Sequence, residues 1–422
     1  MTKNFRDMAE KYDALLIGGG PAGATAALTL ARAGWKVAVV EKANFPRRKV
    51  CGEYLSPTNL ALFRQLGIAD DFLERAGPPV RQVGLFARET VLMAPMPWQR
   101  RTSDDWGRAL GRETLDTLLL QRAAEAGARV WQPWSAVKLD KPGEAVVCEA
   151  ASRETRETQN LCARVMIAAH GSWESGTLPT QPSRRALLGS DLLGFKAHFH
   201  DCRLPAGLMP LLVFPGGYGG MVHTNEERTS VSCCVRRDQL ERCRRTTPGV
   251  SAAEAVLAHV RNSCRGVREA LTGASPEGPW LSAGPIRPGI RARFTGGIFR
   301  IGNAAGEAHP IIAEGISMAI QSAWLLCERL TARRSQALTR AALEEVGRDY
   351  AVVWHNCFAP RVRAAALFAR LAMRPAAVTL LLPLLRLLPA VLTLGASWSG
   401  KRADMAAPSG KPAPQEFTRL HR

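Results

Sequence analysis

Apolar positions early in the chain fall into two short runs, residues 15–17 and 37–40, on either side of a helical stretch over residues 22–33 built mostly of Ala, Leu and Thr. Uniformly apolar strands on both sides of a helix predict a strand–turn–helix–strand unit with its strands buried in a parallel sheet. Farther on, Ser56 and Pro57 read as N-cap and first residue of a helix that runs to Gly67. Residues 80–105, rich in Pro, Val and aromatics, read as the first strands of a second, β-rich unit. Residues 112–126 form an amphipathic helix closed by Gly127, followed by strands at Val130, at 136–140 and at 164–172. From 187 to 236 short apolar runs alternate with turns, the pattern of a sheet, and residues 251–271 read as one helix capped by Ser251. A strand is expected near 297–301, a long helix from Gly315 and another over 338–358.

The remaining tail has a different pattern. Residues 364–373 and 375–395 are strongly apolar but interrupted by Pro383, Arg386 and Pro389. A spanning helix needs about 20 largely uncharged apolar residues, and a mid-stretch Arg costs roughly 2.5–3.5 kcal/mol on insertion scales. The tail is therefore expected to lie as a hairpin in a membrane interface or to cover a substrate tunnel, with a buried core pair of helices as the alternative. Residues 397–422, polar with Pro and Gly, are expected to be disordered.

The turn of the first unit reads Gly18-Gly19-Gly20-Pro21-Ala22-Gly23. Gly18 permits the tight turn, Gly20 lets backbone N–H groups approach a pyrophosphate, and Gly23 lets the helix lie close on the sheet with its N-terminus facing the phosphates. Glu41 ends the second strand, where a carboxylate can accept both hydroxyls of an adenosine ribose. An acid there argues against a 2′-phosphate, so the dinucleotide is FAD or NAD rather than NADP.

With 422 residues, 46% hydrophobic and 22% charged, the chain is globular and has room for two interlocked domains. Ten cysteines without metal-ligand spacing read as reduced thiols, and no metal site is expected. Residues 1–11 are polar and charged, so no signal peptide and a cytoplasmic location are expected. The net charge of +19 raises the question of nucleic acid. The arginines are scattered, with only short clusters at 47–49 and 242–245, and no nucleic-acid module accompanies them. A basic surface suited to anionic lipid or an anionic cofactor is the better reading, and it would help hold the tail on an anionic leaflet as a peripheral contact.

After the second strand comes Arg48-Lys49-Val50-Cys51-Gly52-Glu53-Tyr54-Leu55-Ser56. Together with the glycine turn this resembles the geranylgeranyl reductase and flavin-dependent halogenase branch of the FAD-dependent oxidoreductases, a superfamily that includes p-hydroxybenzoate hydroxylase. The resemblance implies an α/β fold: a Rossmann-like FAD-binding domain interleaved with a mixed β-sheet substrate domain, and a helical C-terminus. It assigns residues 1–79, 106–180 and 285–335 to the FAD domain, 80–105 and 181–284 to the substrate domain, and 336–396 to the C-terminal helices. Pro21, Ala22, Lys42 and Arg48 then join the glycines and Glu41 at the cofactor, and Cys51 lies near the isoalloxazine, in a redox role or as a small packing residue. The helix from Arg112 resembles the family's Arg-x-x-Leu/Phe-Asp helix, which implies Arg112 at the FAD phosphate or ribose and the backbone of Val137 at the adenine. A cation at a helix N-terminus is disfavoured by the dipole, which fits an anionic partner. The stretch 297–323 resembles the second FAD signature. Gly302 and Asn303, the latter in place of Asp, would meet the ribityl chain, and Gly315 and Ile316 would open a helix aimed at the flavin pyrimidine edge. Reduction places negative charge there, which the dipole stabilises.

Several departures shape the functional reading. His170 stands where related hydroxylases have Asp, which disfavours direct hydroxylase-style reduction by NADPH and favours a separate electron-donor protein, with NAD(P)H itself as the alternative donor. Gly216-Gly217-Tyr218-Gly219-Gly220 resembles the Gly-Tyr-Gly-Trp segment of geranylgeranyl reductases, with Gly220 in place of Trp. The halogenase Trp-x-Trp-x-Ile-Pro segment is absent from the sequence, which disfavours halogenation. Ala313 replaces a glycine and narrows the approach to the flavin face. His309 and Glu314 flank that face as candidate proton-handling residues, their alternatives being a helix-entry polar residue and a first-turn acid. Tyr218 and His223 are weaker candidates on the substrate side. The chemistry implied is hydroxylation of a hydrophobic, polyketide- or isoprenoid-like substrate. Double-bond reduction of a lipophilic substrate is the runner-up, and a membrane-associated dinucleotide-binding module without turnover is a third reading.

Overall fold

The computed structural model describes residues 10–97, 106–141, 143–172, 176–181, 183, 185–333 and 338–401. Strand β1 (Glu10–Ile17), helix α1 (Pro21–Arg32) and strand β2 (Val37–Val40) open the chain. Helices α2 (Thr58–Gln65) and α3 (Ala69–Arg75) lead to a hairpin of β3 (Gln82–Ala87) and β4 (Thr90–Pro95). Helix α4 (Arg112–Glu125) precedes β5 (Arg129–Trp131), β6 (Trp134–Asp140), β7 (Val146–Ser152) and β8 (Thr158–Ala168). Then come β9 (Leu192–His200), β10 (Leu208–Phe214), β11 (Gly217–His223) and β12 (Thr229–Arg236). Helices α5 (Arg237–Thr246), α6 (Ala252–Ser263) and α7 (Arg265–Ala270) are followed by β13 (Ser275–Ile286), β14 (Phe294–Thr295) and β15 (Ile298–Arg300). The chain continues through α8 (Gly315–Thr331), α9 (Arg340–Ala372), α10 (Pro375–Leu387) and α11 (Ala390–Ala396).

Two sheets organise these elements. The first has eight strands, with the order β14-β15-β8-β1-β2-β5 and β6 and β7 added beside β8. Its central pairs, β1 with β2 and β8, β8 with β15, and β2 with β5, are parallel. Small residues let α1 sink between this sheet and helices α4 and α8; Ala24, Ala26, Ala27 and Leu28 have no exposed surface. The second sheet has seven strands in the order β13-β9-β12-β11-β10-β3-β4. Its strands alternate with a period of two. Phe195, Ala197 and Phe199 of β9 and Val231, Cys233 and Val235 of β12 face a core closed by α5, α6 and α7. Lys196, His198, Ser230, Ser232 and Cys234 occupy the intervening positions, which face the first sheet and the C-terminal helices.

Ahead of the tail, the structure departs from the sequence reading at three elements. Helix α2 starts at Thr58 with Pro57 as N-cap, because the Ser56 hydroxyl is drawn into the core by Glu314 (3.1 Å), Ser317 (3.1 Å) and Thr58 (2.7 Å). The helix expected over 251–271 breaks at Cys264. That residue turns extended, bridges to Arg88 and donates its buried thiol to the carbonyls of Phe86 and Val213, both at 3.4 Å. Helix α9 runs on through Pro360 to Ala372, anchored at its start by the Thr339 hydroxyl, which accepts from Ala342 N–H at 3.3 Å.

The tail forms α10 and α11, with α9 and α10 meeting at 100°. Their inner face, Val378, Leu382, Leu385 and Leu392, packs on Leu85, Ala87 and Val213 of the second sheet. The hydrophobic cover is the geometry found, rather than a buried core pair. Among the described residues, no single helix is long and apolar enough to cross a membrane. A helical turn over Ser397–Lys401, with Ser397 and Ser399 buried, corrects the expectation of disorder at its start. Residues 402–422 lie outside the described residues.

Candidate cofactor and substrate site

The glycine turn is a close-packed junction. Gly18 has φ +105, and a Cβ there would fall 2.7 Å from the carbonyl oxygen of Ala169, while a Cβ on Gly23 would collide with the Gly18 carbonyl. At Gly20 a Cβ would meet only the guanidinium nitrogens of Arg112 (3.8 Å) and Arg47 (3.9 Å). Arg112 forms a bidentate pair with Asp116, both bonds 2.7 Å, and Arg47 lies 3.6 Å from Asp116 and 3.9 Å from Glu41. Lys49 shares this cluster: burial, then the charges of Arg112 and Arg47, pull its ammonium down to about 8. Arg47, Lys49 and Arg112 therefore outnumber the two carboxylates, an excess of positive charge that a pyrophosphate on the helix N-terminus would neutralise.

Glu41 is buried, and its two oxygens accept from Gly19 N–H (2.7 Å) and Ala43 N–H (2.9 Å). Each oxygen retains a lone pair for a ribose hydroxyl. Lys42 is exposed at the cavity rim. Trp134, Ala136 and Val137 line the far end, where Val137 sits in the register shift between β6 and β7 and so stands outside their pairing.

From this end a single cavity of about 1190 Å³ runs past the second signature into the space between the second sheet and the C-terminal helices. Pro21, Ala22, Gly302, Asn303, Gly315 and Ile316 all border it. Gly302 has φ +58, donates its N–H to Ser322 at 2.8 Å, and could carry a Cβ only 2.9 Å from that of Ala22. A Cβ on Gly315 would meet nothing within 4 Å, so helix α8 begins on open space. Ala313, in place of the family's glycine, is held at φ +53, a left-handed conformation costly for an L side chain.

The loop 48–54 carries Cys51 to the cavity wall, with its sulfur accepting from Glu53 N–H at 3.4 Å. Arg48 borders the cavity, but its guanidinium turns to β13 and donates to the Glu277 carbonyl at 3.3 Å. Its neighbours Arg47 and Lys49 are the basic residues of this loop that stand at the glycine turn. Glu53, at φ +63 and fully buried, pairs with Lys196 and with His198 (2.8 Å) on β9 and accepts from Arg112 N–H at 3.1 Å. Burial opposes its ionisation. The His198 hydrogen bond and the Lys196 charge outweigh burial and hold the carboxyl down at about 2. Glu53, Glu113 and His198 bring three potential ligand atoms within 4.8 Å. Lys196 on Glu53 and Arg228, 3.1 Å from Glu113, already balance those carboxylates, so the cluster is an ion-pair network joining the loop to the second sheet.

The two candidate proton-handling residues separate. Glu314 is fully buried behind the wall, accepts from the Ser56 hydroxyl at 3.1 Å and does not border the cavity. It is the N-cap residue of α8, where a carboxylate is favoured by the helix dipole, and Gly315 rather than Glu314 meets the open space. His309 is half-buried one layer out, with Nδ1 3.2 Å from the hydroxyl of Tyr218, which does line the cavity. Burial, then the charge of Arg370, lowers its imidazole to about 4, so it is neutral at physiological pH. Burial also holds the Tyr218 phenol well above its ordinary value, in its protonated form. His223 turns away to the Leu204 carbonyl (2.8 Å) and Thr229 (3.0 Å). His170 borders the cavity and pairs with Thr180 at 2.9 Å.

A model of the FAD binding domain matches residues 11–345. The chain belongs to this FAD-binding family. Among curated relatives, the menaquinone reductase of Mycolicibacterium smegmatis is 35% identical over 123 residues, covering 29% of each chain. The digeranylgeranylglycerophospholipid reductase 2 of Methanopyrus kandleri is 26% identical over 337 residues, covering 76% of each. The chain thus spans about three tenths of the first relative's length and three quarters of the second's. The myxobacterial chondrochloren halogenase shares the fold, with a TM-score of 0.71 at 21% identity over 93% of this chain and 91% of that one.

FAD fits the residues present. Glu41, with its open lone pairs, would take the adenosine ribose, the Gly20 cradle and the cation excess the pyrophosphate, and the free start of α8 the flavin ring. The sequence reading missed Glu307, a buried carboxyl on the cavity wall that accepts from Ser172 (2.7 Å) and Asn303 (3.1 Å) and is pushed up by burial. Its one available signal was position, four residues beyond Asn303 on the same signature.

Proposed function

We propose that this flavoprotein is a reductase of carbon–carbon double bonds in a long, apolar, isoprenoid-like substrate. The carrying observation is the lining of the cavity beyond the flavin end. Every residue that β3, β10, β11 and α9–α11 contribute to it is uncharged, Leu85, Met209, Leu211, Val213 and Leu382 among them. Such a surface offers a hydrocarbon chain burial at about 0.8 kcal/mol per CH₂, and it offers no ionic anchor to a hydroxylated aromatic ring. The names of the menaquinone and digeranylgeranylglycerophospholipid reductases support the same substrate class and favour reduction over the hydroxylation that the resemblance implied.

FAD, held by the Gly20 turn, Glu41 and the start of α8, would when bound and reduced supply hydride chemistry, two electrons and one proton, to one carbon of the double bond. Tyr218 supplies the proton to the neighbouring carbon: it borders the cavity, is protonated, and adjoins Ile311 in the segment leading to α8. His309, neutral and half-buried behind it, accepts from the Tyr218 hydroxyl through Nδ1 and positions it, and a solvent proton restores the phenol after transfer. Glu53 and its cations hold the Cys51 loop against the sheet, keeping the wall dry and rigid. NAD(P)H or a separate reductase re-reduces the flavin, and His170 in place of an acid favours the separate protein.

The test is anaerobic. Protein reduced with dithionite and mixed with a polyprenyl substrate without oxygen should reoxidise its flavin and yield the saturated product. Reoxidation only with oxygen, accompanied by a hydroxylated product, would overturn the reading in favour of a monooxygenase. A flavin indifferent to substrate under both conditions would leave a binding module.

A further inference from the structure

We infer that the outer face of α10 and α11 docks on an anionic lipid bilayer, and that substrate enters the cavity from the bilayer between these helices. The two helices carry apolar side chains on both faces. The inner face packs on the sheet, and the outer face presents Leu380 (80% exposed), Leu387 (79%), Leu388, Leu394 and Trp398 (65%) to solvent. Single exposed leucines are ordinary, but a contiguous apolar face on consecutive helices marks an interaction surface.

Charge selects the occupant. Between Asp349 and Asp404 the chain has no acidic residue. Arg374, just before α10, and Arg386, on it, are exposed, Arg386 donating to the Thr90 hydroxyl, and Arg88 reaches the same edge, with its guanidinium 2.6 Å from the Thr379 hydroxyl. A second copy of the chain would bring equal positive charge to this face, whereas an anionic leaflet complements it. Trp398, apolar with one N–H donor, suits the headgroup boundary.

The entry route has its own observation. Leu384 of α10 and Val391 of α11 line the cavity and are exposed, at 50% and 40%, so the cavity wall is made by the same two helices that carry the exposed leucines. A lipophilic chain would pass from bilayer to tunnel without crossing water. This route rests on the reading of the substrate as lipophilic; the docking itself is read without turnover.

The test uses the full-length holoprotein and vesicles of phosphatidylcholine, with or without phosphatidylglycerol. The wild type should sediment with the anionic vesicles, more weakly with pure phosphatidylcholine and more weakly at high salt. Brominated acyl chains should quench part of its tryptophan fluorescence, and Trp398→Phe should remove that quenched part. Leu380→Glu/Leu387→Glu, at positions outside the cavity lining, should bind about tenfold or more weaker while keeping wild-type FAD content and wild-type flavin reoxidation by a detergent-dispersed substrate. Vesicle binding unchanged in that variant, no binding by the wild type, or concentration-dependent dimerisation that shields Trp398 without vesicles would overturn the proposal. A bound but inactive wild type would count against the reductase reading and leave the docking intact.

Discussion

A Glu41→Arg variant is expected to purify colourless and to take up FAD at least about a hundredfold more weakly than the wild type. The wild-type carboxylate sits at the end of β2, buried, with Gly19 and Ala43 donating to its two oxygens. The substitution removes both ribose acceptors and both backbone partners, and it places a further guanidinium beside Arg47, 3.9 Å from the present carboxylate. Charge-assisted hydrogen bonds contribute roughly 1.5–3 kcal/mol each, and two of them account for the expected loss. Glu41→Gln, which keeps one acceptor oxygen, should fall in between. Flavin absorbance after reconstitution and gel filtration reads the result, with far-ultraviolet circular dichroism as the check on folding. A Glu41→Arg protein that stays fully yellow would remove Glu41 from the ribose site.

Tyr218→Phe is expected to slow substrate-dependent reoxidation of reduced flavin by about a hundredfold or more, the usual scale for removing a positioned general acid. The ring keeps its packing against Ala369 and Ile311, so FAD content and apparent substrate affinity should change little. A pH profile separates catalysis from packing. With the imidazole lowered to about 4, His309 is neutral above that pH, and its Nδ1 can accept from Tyr218 and hold the hydroxyl in place. As pH falls through about 4 it becomes imidazolium and loses its acceptor nitrogen, so the rate should fall on the acid side. His309→Gln should abolish that acid limb. A Tyr218→Phe enzyme with wild-type rates would return Tyr218 to the packing of the wall.

The parts of the site that could be read in the sequence are those set by local geometry. The spacing Gly18-x-Gly20-x-x-Gly23 and the acid at Glu41 follow from one strand–turn–helix–strand unit, and the close approaches at Gly18 and Gly23 are the contacts that spacing implies. The residues that face a given side within an irregular loop were not legible. The run 47–49 is evidently basic, but only folding directs Arg47 and Lys49 to the glycine turn and Arg48 to Glu277. Glu314 is drawn from the cavity by the Ser56 hydroxyl, 258 positions away in the chain, which no local pattern announces. Glu53 was hidden for the same reason. Its partners Lys196 and His198 lie more than a hundred positions away on the second sheet, and no local pattern announces a long-range ion pair. The tail was legible as apolar and broken, and its role as a wall required the sheet it covers.

The central claim is that flavin site and apolar tunnel form one cavity, so that chain length in the substrate is felt at the reacting bond. The direct measurement is kcat/KM for anaerobic flavin reoxidation by a homologous series of prenyl substrates. With burial at about 0.8 kcal/mol per CH₂, a chain of roughly twenty carbons should exceed one of roughly five by at least about a hundredfold. Equal values across the series, or a flavin that none of them reoxidises, would contradict it.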